Sequence, residues 1–172
     1  MPREHGFTLI DLMVTLAVAA ILVTVAVPGL TGLVAEQRVI TTTNRFVTAL
    51  HLTRSEAVRR GTRVTLCAST DGQTCSSPDD FSGGWLVREG PAPGGSLVDG
   101  AGEVIRVFSG HPSLTVIGNQ GVPGYISYLG TGETRRLSGA LQMGTVEICG
   151  GERARRVIIS STGRPRVETA GC

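Results

Sequence analysis

Lysine is absent from this chain, and aromatic residues make up only 4% of it. All 16 basic residues are therefore arginine, which reflects either a coding bias or the planar binding of phosphates and carboxylates that arginine favours. The formal net charge of +2 excludes the strongly basic composition of a dedicated nucleic-acid-binding protein. Any contact with nucleic acid is therefore expected to be local.

Catalytic and cofactor motifs are absent as well. The three histidines lie in unrelated contexts, and none belongs to a motif with a nucleophile and a positioned base. The sequence contains no phosphate-binding loop, no dinucleotide-type glycine pattern and no metal-binding histidine pair. We therefore predict a protein that is not an enzyme and has no catalytic residue, no metal site and no cofactor.

The length of 172 residues fits one modest domain plus an appendage, and 24 glycines argue against an all-helical bundle. After residue 61, short apolar runs alternate with glycine, proline and asparagine, which is typical of strands and turns. Strands are predicted at 63–68, 84–88, 104–108, 114–117, 125–129, 141–149 and 156–160. The predicted fold class is α+β, with a long N-terminal helix packed on an antiparallel β-sheet head.

The N-terminal part of the chain contains an uncharged apolar stretch, residues 12–35. A helix from residue 7 to 35 is long enough to cross a hydrocarbon core of about 30 Å. A polar stretch precedes it and ends at Gly6, which predicts cleavage before the helix rather than after an ordinary signal. An ionised Asp11 is costly in a membrane unless it is paired, and cleavage would free the amine of Phe7 one turn away. The alternative is a plain membrane anchor with Asp11 near the headgroups.

The predicted helix changes character along its length. Pro28 removes a hydrogen bond and crowds the preceding turn, which predicts a kink or a locally melted stretch. Residues 36–61 are amphipathic, and arginines followed by Gly61 predict that the helix ends near residue 60. The apolar stripe comprises Val39, Phe46, Val47, Leu50, Ala57 and Val58. The opposite side carries Glu36, Arg38, Thr42, Arg45 and Glu56.

Four cysteines, Cys67, Cys75, Cys149 and Cys172, include no close C-x-x-C pair, which disfavours a zinc or redox site. An even number in a chain whose N-terminus enters a membrane indicates an oxidising compartment, in which disulfides persist. The two local pairings, Cys67 with Cys75 and Cys149 with Cys172, require the least topological coordination. The sequence alone leaves all three possible pairings open.

The segment Gly6-Phe7-Thr8-Leu9-Ile10-Asp11-Leu12-Met13-Val14 resembles the prepilin cleavage and methylation motif of type IV pilins and type II secretion pseudopilins. The resemblance implies that a prepilin peptidase cuts after Gly6 and methylates the amine of Phe7. It implies that Asp11, where the family usually has glutamate, pairs with a neighbouring N-terminus during assembly. It also implies that Pro28 loosens the helix for packing in the filament.

Three segments of the C-terminal half, 125–132, 145–149 and 157–164, resemble the GspH/FimT group of minor pilins and pseudopilins. The implied organisation is a prepilin leader (1–6), a transmembrane and filament-core helix (7–35), an amphipathic half of the helix (36–61) and a β-rich head (62–172). The resemblance implies a single-pass inner-membrane protein with a periplasmic head, which then joins an extracellular pilus or a periplasmic pseudopilus. The implied partners are other pilin subunits and the prepilin peptidase.

The last forty residues or so are rich in arginine, with seven arginines against four acidic residues from residue 133 onward. Salt-sensitive contact with phosphates is the function that such a pattern favours. The arginines are Arg135, Arg136, Arg153, Arg155, Arg156, Arg164 and Arg166.

The run Gly163-Arg164-Pro165-Arg166 is the most specific part of this pattern, because glycine opens a turn and proline stiffens it. In the FimT branch, a glycine-arginine-any-arginine run near the C-terminus is associated with DNA capture in natural transformation. The resemblance therefore implies binding of double-stranded DNA without sequence specificity. The alternative is a structural minor pilin or pseudopilin that primes or caps the filament, with the arginines in salt bridges to residues such as Glu168.

Overall fold

A computed structural model describes residues 8–76, 80–90 and 102–172, and it describes no side chain within 25–31. In this part of the chain one helix precedes eight strands. The elements are α1 (Leu9–Arg60), β1 (Val64–Ala68), β2 (Gly84–Glu89), β3 (Val104–Ser109), β4 (Thr115–Gly118), β5 (Tyr125–Tyr128), β6 (Gly144–Gly150), β7 (Arg153–Ile159) and β8 (Pro165–Gly171). The predicted α+β class is confirmed.

Helix α1 ends where the sequence predicted. Arg59 and Arg60 occupy its last turn, and Gly61 follows with φ 67°, the left-handed conformation that glycine adopts without steric cost. The helix is continuous through residue 28, so the locally melted stretch that was one expectation for Pro28 is not observed. The side chain of Pro28 lies outside the described residues.

In the described part of the chain, no helix combines the length and the hydropathy needed to cross a membrane. The span predicted over residues 7–35 includes Phe7 and the side chains of residues 25–31, which are not described.

The chain forms two compact units, and the boundary between them follows Ala35. The second, Glu36–Cys172, is called the C-terminal unit below. It contains two four-stranded antiparallel sheets, with the strand orders β3-β2-β1-β5 and β4-β6-β7-β8. Strand β8 forms one edge of the second sheet, so the C-terminal hairpin β7–β8 lies at that edge.

One main apolar core joins the amphipathic half of α1 to both sheets. Phe46 is fully buried from the helix, and its ring makes edge contacts with Phe81 and Trp85 at centroid distances of 5.4 and 5.2 Å. Leu66 from the first sheet and Ile148 from the second belong to the same core. The helix is therefore anchored to both sheets through a continuous set of buried side chains.

The predicted apolar stripe of α1 is largely confirmed, with two errors. Val58 is 53% exposed, whereas Thr42, which was assigned to the opposite side, is only 6% exposed. The buried stripe also includes Thr43 and Thr53, whose hydroxyls donate to the carbonyl oxygens four residues earlier. This internal bonding lets threonine replace an apolar residue in the core.

Seven predicted strands are confirmed with shifted ends, and one strand was missed. Strand β6 begins at Gly144 rather than at residue 141, and β7 begins three residues earlier than predicted, at Arg153. Strand β8 was not predicted at all. The hairpin β7–β8 was therefore not predicted, and it contains residues 153–155 and 165–171, which the predicted strands left out.

Both local disulfides form: Cys67 is bonded to Cys75, and Cys149 to Cys172. The first lies in a small apolar cluster with Leu86. The second joins β6 to the residue that follows β8, and so ties the edge strand across the intervening strand β7. The two local pairings are thus the observed ones among the three that four cysteines allow.

Replacing Cys149 and Cys172 by serine is expected to lower the free energy of unfolding by about 3 kcal/mol, since the bond closes a loop between residues 23 positions apart. Urea denaturation of the full chain would measure this change. Amide hydrogen exchange should also accelerate in β8 more than in β1, because β8 has only one neighbouring strand. Equal stability of the variant and the wild type would contradict the prediction.

Candidate functional site

Five of the seven predicted DNA-binding arginines lie in the hairpin β7–β8. Arg153, Arg155 and Arg156 belong to β7, Arg166 belongs to β8, and Arg164 lies in the turn between them. Among these five, the strands predicted from the sequence included only Arg156, so the strand positions of Arg153, Arg155 and Arg166 were missed. Around Pro165, charged and small residues concealed an edge strand.

The hairpin turn, residues 160–164, holds Arg164 in a defined backbone position. Gly163 has φ 78°, and its amide donates to the carbonyl oxygen of Ser160 at 2.9 Å. The hydroxyl of Ser160 accepts from the amide of Arg164 at 3.3 Å. Pro165 then begins β8 opposite Ile159, which suits proline because the first residue of an edge strand needs no ladder donor.

The hairpin turn is also braced from outside. The hydroxyl of Tyr128 donates to the carbonyl oxygen of Gly163 at 3.2 Å, and the amide of Thr134 donates to that of Ser161 at 3.1 Å. Burial raises the pKa of Tyr128 above its ordinary value, and the nearby guanidinium of Arg54 opposes this shift. Tyr128 therefore stays protonated and remains a hydrogen-bond donor at neutral pH.

Arg156 and Arg166 lie on one face of the second sheet, in a row of alternating charges. Arg156 donates to Glu147 at 2.6 Å, and Arg166 lies 2.9 Å from Glu168. Glu168 is also the direct cross-strand neighbour of Arg156. Both arginines are thus neutralised by carboxylates. A salt bridge to Glu168 is what the alternative of a purely structural pilin or pseudopilin predicted.

Arg153 and Arg155 are separated from the hairpin turn. Arg155 is half-buried and projects from the face of β7 opposite to that of Arg156, because successive strand residues alternate. Arg153 lies at the far end of β7, where its carbonyl oxygen faces Cys172. At about 3.3 Å per residue, the length of β7 places Arg153 roughly 20 Å from the hairpin turn.

Arg135 and Arg136 are held by a buried arginine that the sequence analysis did not single out. Arg63 donates through Nη1 to the carbonyl oxygens of Arg135 and Arg136 and to the hydroxyl of Ser127. The side chain of Arg135 pairs with Glu133, and that of Arg136 donates to the carbonyl oxygen of Gln120. Burial lowers the pKa of Arg63, whose position just after the helix cap was its only sequence signal.

The seven arginines therefore do not form one cluster. In the described part of the chain, four of the seven have no ion pair with a carboxylate, namely Arg136, Arg153, Arg155 and Arg164, and of these only Arg164 lies at the hairpin turn. Its side chain is exposed. Of the two arginines in the predicted motif, Arg164 is therefore the one without a carboxylate partner among the described residues.

At the start of α1, Asp11 forms a reciprocal cap with Thr8. The amide and hydroxyl of Thr8 donate to Oδ2 of Asp11 at 3.0 and 2.7 Å, and the amide of Asp11 donates back to the hydroxyl of Thr8 at 3.3 Å. This is a capping box, which satisfies amides that a helix start leaves unpaired. The expected partner of Asp11, the amine of Phe7, and the expected cleavage site at Gly6 lie outside the described residues.

Within 8–76, 80–90 and 102–172, no group of His, Cys, Asp and Glu side chains could hold a metal ion.

The family model for the type II transport protein GspH matches residues 42–163, which include most of the amphipathic half of α1, seven strands and the hairpin turn up to Gly163. The chain therefore belongs to the GspH family of pilins and pseudopilins. The prokaryotic N-terminal methylation motif matches residues 1–27. No curated protein matches the chain significantly.

Two crystal structures of the type IV minor pilin FimU from Pseudomonas aeruginosa share this fold. The form in space group P21 has a TM-score of 0.58 and 21% identity, with 77% of this chain and 90% of that one covered. The form in space group P65 has a TM-score of 0.55 and 22% identity over 74% and 90% of the chains. At this identity the likeness establishes the type IV pilin fold alone.

The methylation motif implies a membrane-anchored precursor that prepilin peptidase processes and that then assembles with other pilins. The GspH family consists of structural subunits of pili and pseudopili, and it is not known for enzymes. The class of this protein is therefore a minor pilin or pseudopilin.

Proposed function

We propose that this chain is a minor type IV pilin that is incorporated in the pilus and binds extracellular DNA for uptake in natural transformation. One observation carries the proposal: Arg164 is exposed on a braced turn and has no carboxylate partner in the described structure. Arginine on such a turn can neutralise a backbone phosphate of a duplex without reading its sequence. Scarce exposed aromatic rings disfavour a platform for stacking single-stranded bases.

The proposal includes processing and assembly at the N-terminus. Prepilin peptidase cuts after Gly6 and methylates the amine of Phe7, while Pro28 adapts the helix to the filament. Asp11 meets a neighbouring subunit's N-terminus during assembly. In the free chain its carboxylate is already satisfied by Thr8, so the capping box has to be exchanged for the contact between subunits.

The two arginines of the motif contribute unequally to this function. An exposed ion pair stabilises by only about 0.2–1 kcal/mol, so a phosphate can displace Glu168 from Arg166. Glu168 nevertheless remains beside Arg166 and repels the phosphate. Arg164 is therefore the main contact within the run, and the remaining arginines raise the local positive potential.

Replacing Arg164 and Arg166 by alanine is expected to weaken duplex binding by roughly tenfold or more, because phosphate contacts are lost. Each lost contact should also lower the salt slope, which is the steepness of the fall of log affinity with log salt concentration, by about 0.9. Fluorescence anisotropy of a labelled duplex with the full chain in non-ionic detergent would measure both quantities. Transformation frequency should fall in a strain that carries the same variant.

The matched control for this variant replaces Arg38 and Arg45, two exposed arginines of α1 that lack carboxylate partners in the described regions. Their loss removes the same total charge and should change affinity far less. If the two double variants bind DNA equally well, the motif is not the binding site. Unchanged affinity in both would contradict the proposal.

The second candidate is a structural minor pilin or type II secretion pseudopilin that primes or caps the filament without binding DNA. The ion pairs of Arg156 and Arg166 favour it, because they use two of the predicted DNA-binding arginines for the stability of the sheet. A deletion strain separates the candidates. Lost piliation or secretion with normal DNA binding by the purified protein would support the structural role.

A further inference from the structure

A second guanidinium group lies beside the hairpin turn, although it comes from α1 and not from the C-terminal part of the chain. A methyl group added at Gly132 would lie 3.1 Å from Nε and 3.5 Å from Nη2 of Arg54. Gly132 in turn faces Gly163, since a methyl group added at Gly163 would overlap the carbonyl oxygen of Gly132. A single glycine therefore separates the guanidinium of Arg54 from the hairpin turn.

Arg54 also has no carboxylate partner among the residues that the structure describes. The nearest acidic residue along α1, Glu56, is occupied by Arg59 and Arg60. Arg60 further binds Glu89 and Glu103, so these carboxylates are engaged at the end of the helix. The side chain of Arg54 is partly exposed, and no carboxylate of the described residues forms an ion pair with it.

We propose that Arg54 is a second phosphate-binding residue, which extends the DNA site from the hairpin turn onto α1. The inference rests on the proposed DNA binding and assigns it to a surface formed by two segments of the C-terminal unit. Tyr128 braces the hairpin turn on this surface through the bond from its hydroxyl to the carbonyl oxygen of Gly163, and Arg54 lies beside Gly132, which faces that turn. Two arginines that lack carboxylate partners in the described structure, one on the hairpin turn and one beside Gly132, can each neutralise a phosphate of the duplex.

This arrangement ranks the arginines differently from the sequence motif. Arg54 should contribute more to binding than Arg166, because Glu168 neutralises Arg166 and no carboxylate in the described structure neutralises Arg54. The GspH family model includes residue 54 but ends at Gly163. Arg54 was assigned no role by the sequence pattern, because it lies far from the arginine-rich region along the chain.

Arg54→Gln is expected to weaken duplex binding by roughly tenfold, which is the loss that one charge-assisted contact represents, and to lower the salt slope by about 0.9. Glutamine keeps a polar side chain of similar reach above Gly132 and thus limits structural damage. Arg54→Lys should retain the salt slope, because it keeps the charge. Anisotropy with the full chain in non-ionic detergent measures both variants.

The matched control is Arg45→Gln. Arg45 lies nine residues earlier on the same helix, so that about 3.6 residues per turn place it on the opposite side, about 13 Å away. It is exposed and has no carboxylate partner in the described structure. This variant should bind the duplex as the wild type does.

Three outcomes separate the two claims. If the wild type does not bind duplex DNA, the proposed function fails and the role of Arg54 fails with it. If the wild type binds, but Arg54→Gln behaves like Arg45→Gln, the role of Arg54 is wrong while the proposed function stands. If Arg54→Gln loses both affinity and its thermal transition, Arg54→Lys decides: a folded lysine variant with the wild-type salt slope supports the inference, and one with a reduced slope overturns it.

Discussion

Replacing Gly163 by alanine is expected to lower the free energy of unfolding by about 2–5 kcal/mol, the largest effect of any single methyl group in the hairpin. Two costs combine. The left-handed backbone at φ 78° costs an alanine about 1–2 kcal/mol, and overpacking in a tight site adds about 1–3 kcal/mol. The methyl group would overlap the carbonyl oxygen of Gly132 and lie 2.8 Å from Cε1 of Tyr128. Urea denaturation of the full chain measures the change.

Gly151→Ala is the control that separates these two costs. Gly151 has φ 65° and lies in the turn between β6 and β7, but no atom lies within 4 Å of an added methyl group. Its replacement should therefore cost only the conformational part, about 1–2 kcal/mol. Equal destabilisation by the two variants would mean that the hairpin turn is not packed tightly against Gly132 and Tyr128.

The same comparison determines how variants of the arginine run should be interpreted. Loss of DNA binding in Gly163→Ala would follow from displacement of the hairpin turn, since the turn bonds to Tyr128 and Thr134. It would not show that glycine contacts DNA. Arg164→Ala keeps the backbone of the turn and therefore tests the guanidinium alone. In this site Gly163 is a positioning residue.

Local patterns in the sequence predicted most of the fold. The end of α1 at Arg60 followed from cations and a glycine in consecutive positions, which act through the helix dipole and the left-handed cap. The disulfides followed from proximity along the chain, although the sequence could not exclude the other pairings. These features depend on neighbours within a few turns or one loop, so local patterns are sufficient to predict them.

Strand β8 was missed because it is an edge strand with little apolar content. Its burial is slight along its whole length, and Pro165 at its start resembles a turn signal. The alternation of Arg166, Val167, Glu168 and Thr169 is compatible with a strand, but neither set of side chains is apolar enough to indicate a buried face. Pairing with β7 and the bond to Cys172 provide what the local pattern lacks.

The candidate site was less predictable than the fold, because it depends on contacts between distant segments. The sequence counted charges, whereas the structure decides which charges are already paired. Arg156 in β7 is neutralised by Glu147 in the adjacent strand β6. Arg54 lies close to the hairpin turn because the residue between them, Gly132, has no side chain. Neither relation has a signature in sequence spacing. Charge density therefore identifies an arginine-rich region of the chain, but it does not show which arginines lack a carboxylate partner.

Replacing Phe46 by alanine is expected to cost about 3–5 kcal/mol of stability, because a fully buried aromatic ring leaves a cavity that rigid neighbours cannot fill. Phe46 is the ring through which α1 contacts Phe81 and Trp85. Thermal or urea unfolding of the full chain, followed by the fluorescence of Trp85, the single tryptophan, would report this loss directly.

Val58→Ala is the matched control, since Val58 lies on the same helix but is 53% exposed and should cost no more than about 0.5 kcal/mol. Similar stability losses in the two variants would contradict the packing of α1 against both sheets. The prediction also bears on function, because α1 carries Arg54 while the hairpin carries Arg164. A loosened helix would separate the two guanidinium groups, so Phe46→Ala should weaken duplex binding at temperatures where the chain is still folded.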